Sequence, residues 1–354
     1  MSKRSMLNVE VSVSKGWLAQ RLGVAFDRDY YLDPQRRRQI DRKCHECVER
    51  ELADLDALFT ESNLGRRPWF DARQALVGGI QPNMILGMLL GAELLPAEDR
   101  DADITPGCWA DRDVGDLPST DDLAAHPLIE QFTEQIRAIK SAGQWTAIPP
   151  FFWDASGRAA VHGPLTTAQK FLGERVFLDL VTEPEPCRRM MQWVTDANAV
   201  LVRHFADVAE IEIEQLHVGE CAACMIGADL FEQFVVPELN RAAELIGPLR
   251  LHSCGASNHL LAACRGIDRL ASFDLGGETS LARVRESFGP QLPVSIAPLV
   301  ADLSAAAPAG LIAWAERVVQ ENDGGPLTVL FHIEPSYRLD VLRTFHAALQ
   351  RLAS

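Results

Sequence analysis

LRLHSCGASNHLLAACRGIDRLASFD, residues 249–274, holds a complete strand, helix and strand in twenty-six residues. Residues 249–252 and 270–274 are short, largely apolar runs of strand length, and 258–263 between them has a helical pattern. Two strands joined through a helix predict a parallel pair with a right-handed crossover. The same rhythm continues outward. Strands are expected at 145–151, 211–218, 294–297 and 328–332, with helices at 167–180, 185–206, 228–245, 281–288 and 309–321. This alternation predicts an α/β fold, and six such units suit a (β/α)8 TIM barrel better than an open sheet. A doubly wound sheet usually carries a Gly-rich phosphate loop after its first strand, and this sequence has none. The first third reads as an N-terminal helical elaboration. A helix is expected at 34–59, with Asp33 as its cap and Pro34 in its first turn; a loop follows at 66–83, then an acidic, turn-rich stretch at 97–121 and a helix at 123–142. One domain over 1–354 is expected, the barrel portion being clearest from 145 to 354.

Composition narrows the class of function. With 354 residues, 47% of them hydrophobic, the chain can bury a self-sufficient core without a disulfide framework. Lys and Arg total 34 against 49 Asp and Glu, a formal charge of −15. Binding to nucleic acid or to an anionic membrane depends on cations meeting phosphates, so neither partner is expected. Residues 1–17 alternate small polar and apolar side chains and contain no apolar run of signal-peptide type. The most apolar run, 84–95, includes Glu93 and is too short to span a bilayer. A cytoplasmic location follows as the expectation. In that reducing setting the eight cysteines, where clustered, point to metal or catalysis.

In a barrel of this kind, chemistry collects at the carboxyl ends of the strands. Those positions hold His217, Gly219 and Glu220; His252 and Cys254; Asp274 and Glu278; and His332, Glu334 and Tyr337. The sharpest piece is His252-Ser253-Cys254. Alternate side chains of an extended segment share a face, so an imidazole and a sulfur there form half of a tetrahedral zinc site. Gly255 is expected to let the chain turn directly afterwards. Glu220-Cys221-Ala222-Ala223-Cys224 places a C-x-x-C on the same rim, readable as a source of a zinc thiolate, a redox pair or structural thiols. Cys44-His45-Glu46-Cys47 lies in an expected helix and reads as structural. His259 and His346 read as surface residues of helices, and Trp145 and Trp153 as flanking a strand near the mouth.

Three segments in order carry a resemblance: Gly163-Pro164-Leu165-Thr166-Thr167 before a helix; Phe231-Glu232-Gln233-Phe234-Val235-Val236-Pro237 leading to His252-Ser253-Cys254-Gly255; and the strand ending at His332, followed by Pro335. The chain resembles the uroporphyrinogen decarboxylase superfamily, in particular its zinc-dependent, corrinoid-linked methyltransferase branch, similar to methylcobalamin:coenzyme M methyltransferases. The resemblance implies zinc at the mouth of a barrel, with His252 and Cys254 as ligands. It implies an acidic, exchangeable ligand at Asp274, with Glu278 as second choice. The family's remaining cysteine ligand has no counterpart here, since no cysteine follows Cys264 and the matching position is Phe331 or His332. His332 is therefore the expected third ligand. Glu220 is implied as a polar contact or base, and His217, Glu278 and Tyr337 as substrate contacts. The implied cofactors are zinc and a corrinoid of the methylcobalamin type, the latter as co-substrate or on a partner protein. The substrate would be a small thiol or a methylated compound. Two alternatives stand beside this reading. One is a decarboxylase of a tetrapyrrole or other acid, which His332 suits and which Gly65-Arg66-Arg67-Pro68-Trp69-Phe70 faintly echoes. The other is a non-catalytic relative that binds a corrinoid or small acid.

Overall fold

A computed structural model describes residues 6–57 and 73–354. Its strands are β1 (Met6–Val13), β2 (Gln74–Leu76), β3 (Leu94–Leu95), β4 (Asp103–Ile104), β5 (Thr146–Ile148), β6 (Arg158–His162), β7 (Gln215–Gly219), β8 (Leu249–Ser253), β9 (Leu270–Leu275), β10 (Val294–Ile296) and β11 (Pro326–Ile333). Seven of them form one parallel sheet in the order β1-β11-β10-β9-β8-β7-β6. β2 and β5 form a separate parallel pair, and β3 and β4 a short antiparallel one. The class is α/β, as the alternation predicts. Helices Pro164–Leu172, Pro184–Ala209, Val236–Leu245, Leu281–Phe288 and Ala309–Glu321 fill the crossovers, and Leu339–Ala353 closes the described chain.

The two faces of the sheet differ in polarity because side chains alternate along each strand. In β11, Leu327, Val329, Phe331 and Ile333 are buried, while Thr328 and His332 occupy the other face. β1 repeats the pattern with Val11 and Val13 buried, against Asn8, Glu10 and Ser12. The buried set packs under the helices: Phe331 meets Phe345 at 5.4 Å between ring centroids, and Phe273 meets Phe288 edge-on at 5.0 Å. On the opposite face, Asn8, Gln215, Arg250, Ser272, Ser295 and Thr328 line a cavity of about 370 Å³ at the amino-terminal ends of the strands. That polar lining contrasts with the branched apolar layers that usually fill an eight-stranded barrel.

The main departures from expectation have local causes. β1 belongs to the main sheet, although the first third reads as helical; its Leu7-Asn8-Val9-Glu10-Val11-Ser12-Val13 alternation is a period-two strand signal. β6 is rich in alanine, with Val161 its one β-branched residue, so its strand signal is weak. β7 begins at Gln215 rather than 211, its pairing with β6 starting at Arg158 and Gln215. The helix beginning at Pro34, with Asp33 accepting from the Gln35 N–H, ends at Leu52 and tightens into a 3-10 turn, Ala53–Leu55; residues 58 and 59 lie outside the described ones. The helix expected at 167–180 is two, Pro164–Leu172 and Val176–Thr182, separated at Gly173. The one expected at 228–245 is interrupted by a π-helical turn at Phe231–Val235, where Pro237 cannot donate back along the helix. Among the described residues no helix is long and apolar enough to cross a membrane.

Leu216, buried at the start of β7, should reveal the weight of this packing. Leu216→Ala is expected to lower unfolding free energy by about 2–5 kcal/mol in urea denaturation. Leu178→Ala, at a side chain 65% exposed, should change it by no more than about 0.5 kcal/mol.

Candidate metal centre

β8 directs Arg250 and His252 to the polar face of the sheet, and Cys254 follows directly after its last residue, Ser253. One sulfur from another strand end joins them: ligand atoms of Cys221, His252 and Cys254 all lie within 4.8 Å of one another. Across the β8–β9 ladder His252 is paired in register with Asp274. The Asp274 carboxylate lies 3.2 Å from His252 Nδ1 and 3.0 Å from an Arg250 terminal nitrogen, and the Arg250 guanidinium also donates to Ser295 Oγ at 3.3 Å. Asp274 is buried, so this partnership decides its charge state. Burial alone would raise its pKa, yet His252 and Arg250 hold it well below the usual carboxylate range. Burial works to lower the His252 pKa, but Asp274 and Cys254 more than offset it and raise it to about 9. A hydrogen bond from the Cys221 thiol, helped by His252, pulls the Cys254 thiol well below its ordinary range. Cys221, as the donor in that bond, is pushed the other way. The outcome is a sulfur whose thiolate form is favoured, beside a histidine backed by a carboxylate, an arrangement shared by many metal sites.

Cys221 reaches this place through Glu220. The Glu220 side chain is 1% exposed and accepts from Leu165 N at 3.2 Å, Thr166 N at 2.8 Å and Thr166 Oγ1 at 2.6 Å. The two backbone N–H groups are orphan donors at the start of helix Pro164–Leu172, where a negative charge is favoured. Thr166 Oγ1 also accepts from Ala222 N at 3.0 Å. Gly163 is needed for close approach, since a Cβ there would overlap the Glu220 carboxylate. Gly163-Pro164-Leu165-Thr166 is thus a socket for Glu220, and the residue that follows in sequence is Cys221.

The remaining sequence-predicted residues have distinct places. His217, on β7, packs against Trp153 with ring centroids 4.5 Å apart and planes tilted by 41°, and lies 5.7 Å from the His252 ring. Burial pushes its pKa well down, so it is neutral. His332 is exposed on β11 and paired in register with Ser12, whose hydroxyl contacts its Nδ1. Following the ladder from His252 leads to Asp274, Ser295 and Thr328, four residues short of His332. His332 therefore shares the polar face without belonging to the three-ligand group. Glu278 is exposed on the loop after β9, and Tyr337 is half-buried in the turn after β11. Neither belongs to the group. Trp153 lines this region, whereas Trp145 lies under the Arg38 guanidinium, 3.6 Å from its ring centroid. His259 is exposed, as expected, with its Nε2 2.9 Å from Ile226 O, whereas His346, expected at the surface, is buried. Cys44 and Cys47 are buried in their helix. Gly65–Phe70, the arginine-bearing segment, lies outside the described residues.

Three participants escaped the sequence reading. Arg250 stands two residues before His252 on the same strand face, a signal available from period-two spacing alone. His162 ends β6 just before Gly163; burial, then Lys170 and His252, lower its pKa to about 4. Ser12 sits on the unexpected β1.

Burial raises the Glu220 pKa from 4.5 to about 7, against the opposing hydrogen bonds of Thr166 and Leu165. Between those values the folded chain holds the proton more tightly than the unfolded one. Stability attributable to this group is complete below pH 4.5 and lost as pH rises through about 7. Urea unfolding across this window should show that decline in the wild type, and Glu220→Gln should remove its share of the slope. An unchanged slope in the variant would mean that Glu220 does not titrate there.

A family model described as uroporphyrinogen decarboxylase matches residues 86–295. Among solved structures, a methyltransferase from Methanosarcina mazei superposes with a TM-score of 0.64 at 14% identity, covering 99% of this chain and 93% of that one. No curated protein sequence matches. At that identity the superposition speaks for the fold, whereas the family match spans more than half of the sequence. The chain belongs to the uroporphyrinogen decarboxylase family.

Proposed function

We propose that this protein is a zinc-dependent methyltransferase that moves a methyl group between a corrinoid and a thiol or similar acceptor. The observation carrying the proposal is the approach of Cys221, His252 and Cys254 ligand atoms to within 4.8 Å of one another. Two sulfurs and an imidazole are a zinc-type donor set, and three protein ligands suit a catalytic zinc that accepts a fourth from substrate. Bound there, zinc would stabilise the thiolate of an incoming thiol and hold it for attack on a methyl carbon.

The chain's own residues have separable tasks in this reading. Asp274 engages His252 Nδ1, which leaves Nε2 for metal and increases its basicity. Arg250 keeps Asp274 ionised and in place. Asp274 thus takes a positioning role in place of the exchangeable-ligand role the resemblance implied. Cys254, the exposed member of the trio, faces the side from which substrate arrives. His217, His162 and Trp153 cover the neighbouring side with neutral rings, limiting water around a nucleophilic sulfur. His332 with Ser12, and Glu278 and Tyr337 on the rim, are assigned to substrate contact. Glu220 acts by holding the Cys221 loop and not as a base, because its oxygens are occupied.

The methyltransferase superposition supports the reading at the level of fold, with the seven-stranded sheet and the β2–β5 pair taken as arcs of one barrel. The corrinoid would arrive as methylcobalamin or on a partner protein, and a cytoplasmic site of action is part of the same proposal. The decarboxylase alternative calls for arginines free to hold carboxylates; Arg250, the one beside His252, is already engaged by Asp274.

Metal analysis tests the proposal. Purified protein should hold about one zinc per chain, with His252→Ala, Cys221→Ser and Cys254→Ser losing it and His332→Ala keeping it. Asp274→Asn should weaken zinc by about 10–100-fold. Methylcobalamin demethylation in the presence of thiols, followed by visible absorbance, should require the same three ligands. Protein that neither retains nor takes up zinc would sink the reading.

A further inference from the structure

Beside the candidate metal centre, Trp153 Nε1, His162 Nδ1, His217 Nδ1 and Arg250 Nε are buried without a hydrogen-bond partner among the described residues. Burying polar atoms unpaired is costly, so their concentration in one place calls for an occupant. The sheet explains the concentration. His162, Gly219 and His252 are paired in register, which puts two imidazoles in one row with a glycine between them. A Cβ on Gly219 would meet His162 Cδ2 and Val161 O, each at 3.8 Å, so the row has room there for a small group. Two residues earlier on the same strands, His217 is paired with Arg250. The Trp153 ring, 9% exposed, packs against His217 with centroids 4.5 Å apart.

Charge in this place is already balanced. Two guanidinium groups flank the Trp153 ring, at 5.1 and 5.5 Å from its centroid: Arg158, held by Asp154, and Arg250, held by Asp274. A carboxylate, sulfonate or phosphate brought here would have to displace one of those acidic partners. The indole N–H only donates, whereas an imidazole nitrogen donates or accepts according to its tautomer. That set matches a hydroxyl, which accepts from Trp153 and donates to an imidazole nitrogen. We infer that Gly219, His162, His217 and Trp153 form a subsite for an uncharged hydroxyl-type group of the substrate, in preference to an acid group. The inference rests on the metal-centre reading above and deepens it, since a sulfur on the metal and an oxygen beside Gly219 define a substrate with two polar ends. The His217 and His252 rings are 5.7 Å apart, so a short spacer joins those ends. Gly219 is then a specificity position, its missing side chain making the room.

The test is a binding titration on the full-length protein loaded with cobalt(II), followed by sulfur-to-cobalt absorption, with 2-mercaptoethanol, ethanethiol and mercaptoacetate as probes. These thiols differ in acidity, so the readout is the ratio of their affinities in each variant relative to wild type. Trp153→Phe should reduce the preference for 2-mercaptoethanol over ethanethiol by roughly 3- to 10-fold, the effect of one lost hydrogen bond. Ethanethiol affinity and cobalt stoichiometry should stay unchanged. Gly219→Ala, whose added methyl makes only ordinary contacts, should fold and lower the same ratio. Ratios unchanged in both variants, the result if water alone satisfies these atoms, would overturn the inference while leaving the metal centre standing. A larger loss for mercaptoacetate than for 2-mercaptoethanol would overturn it too, by making the subsite one for anions. Wild-type protein that takes up no cobalt would remove the metal-centre reading together with this one, so the failures are distinct.

Discussion

The contact on which the site depends is a buried carboxylate seated on the first turn of a helix. Glu220 accepts two backbone N–H groups and one hydroxyl from Leu165 and Thr166, and its carboxylate occupies the space left by the missing side chain of Gly163. Burying a carboxylate without partners is costly, and three donors near a helix amino terminus offset part of that cost, burial still raising the pKa to about 7. The geometry has a further consequence. A loop that follows a strand end is ordinarily the most adaptable part of such a fold, but here its first residue is locked to a neighbouring helix. Cys221 is therefore presented to Cys254 by a rigid element.

A second constraint runs along the sheet. Arg250, Asp274 and His252 form a charged chain on the polar face, with Ser295 as a further partner. Removing Asp274 would leave the Arg250 and His252 groups without their shared carboxylate, which is more damaging than never having built the pairs. The neutral imidazoles His162 and His217 and the Trp153 ring lie beside this chain. The local field is thus set by few formal charges near the sulfur, although the whole molecule carries −15. The global charge is a property of the whole surface, and the local arrangement sets the electrostatics at the sulfur.

Much of the fold was legible in the sequence because the helices and strands from residue 145 onward carry their own periodicity. The elements that were not legible share a cause. β6 is short and alanine-rich, and β2 is three residues long, so tertiary pairing and not local propensity makes them strands. β1 did carry its alternation, but a single polar-apolar strand far from the others in sequence gives no hint of pairing with β11 more than 300 residues later.

For the site, the chain of residues alone determined that His252 and Cys254 share a face, because an extended backbone places alternate side chains on one side. It also determined that several polar, metal-capable residues stand at strand ends. Which of them meet was a matter of register and packing. The β8–β9 ladder sets Asp274 beside His252, while the same ladders carry His332 away from it, four residues beyond the position in line. The choice of Cys221 as the third donor was made by the socket at Gly163–Thr166, more than fifty residues distant in sequence. Spacing within a strand is a property of the backbone, but closeness between strand ends depends on the whole sheet and the helices laid against it.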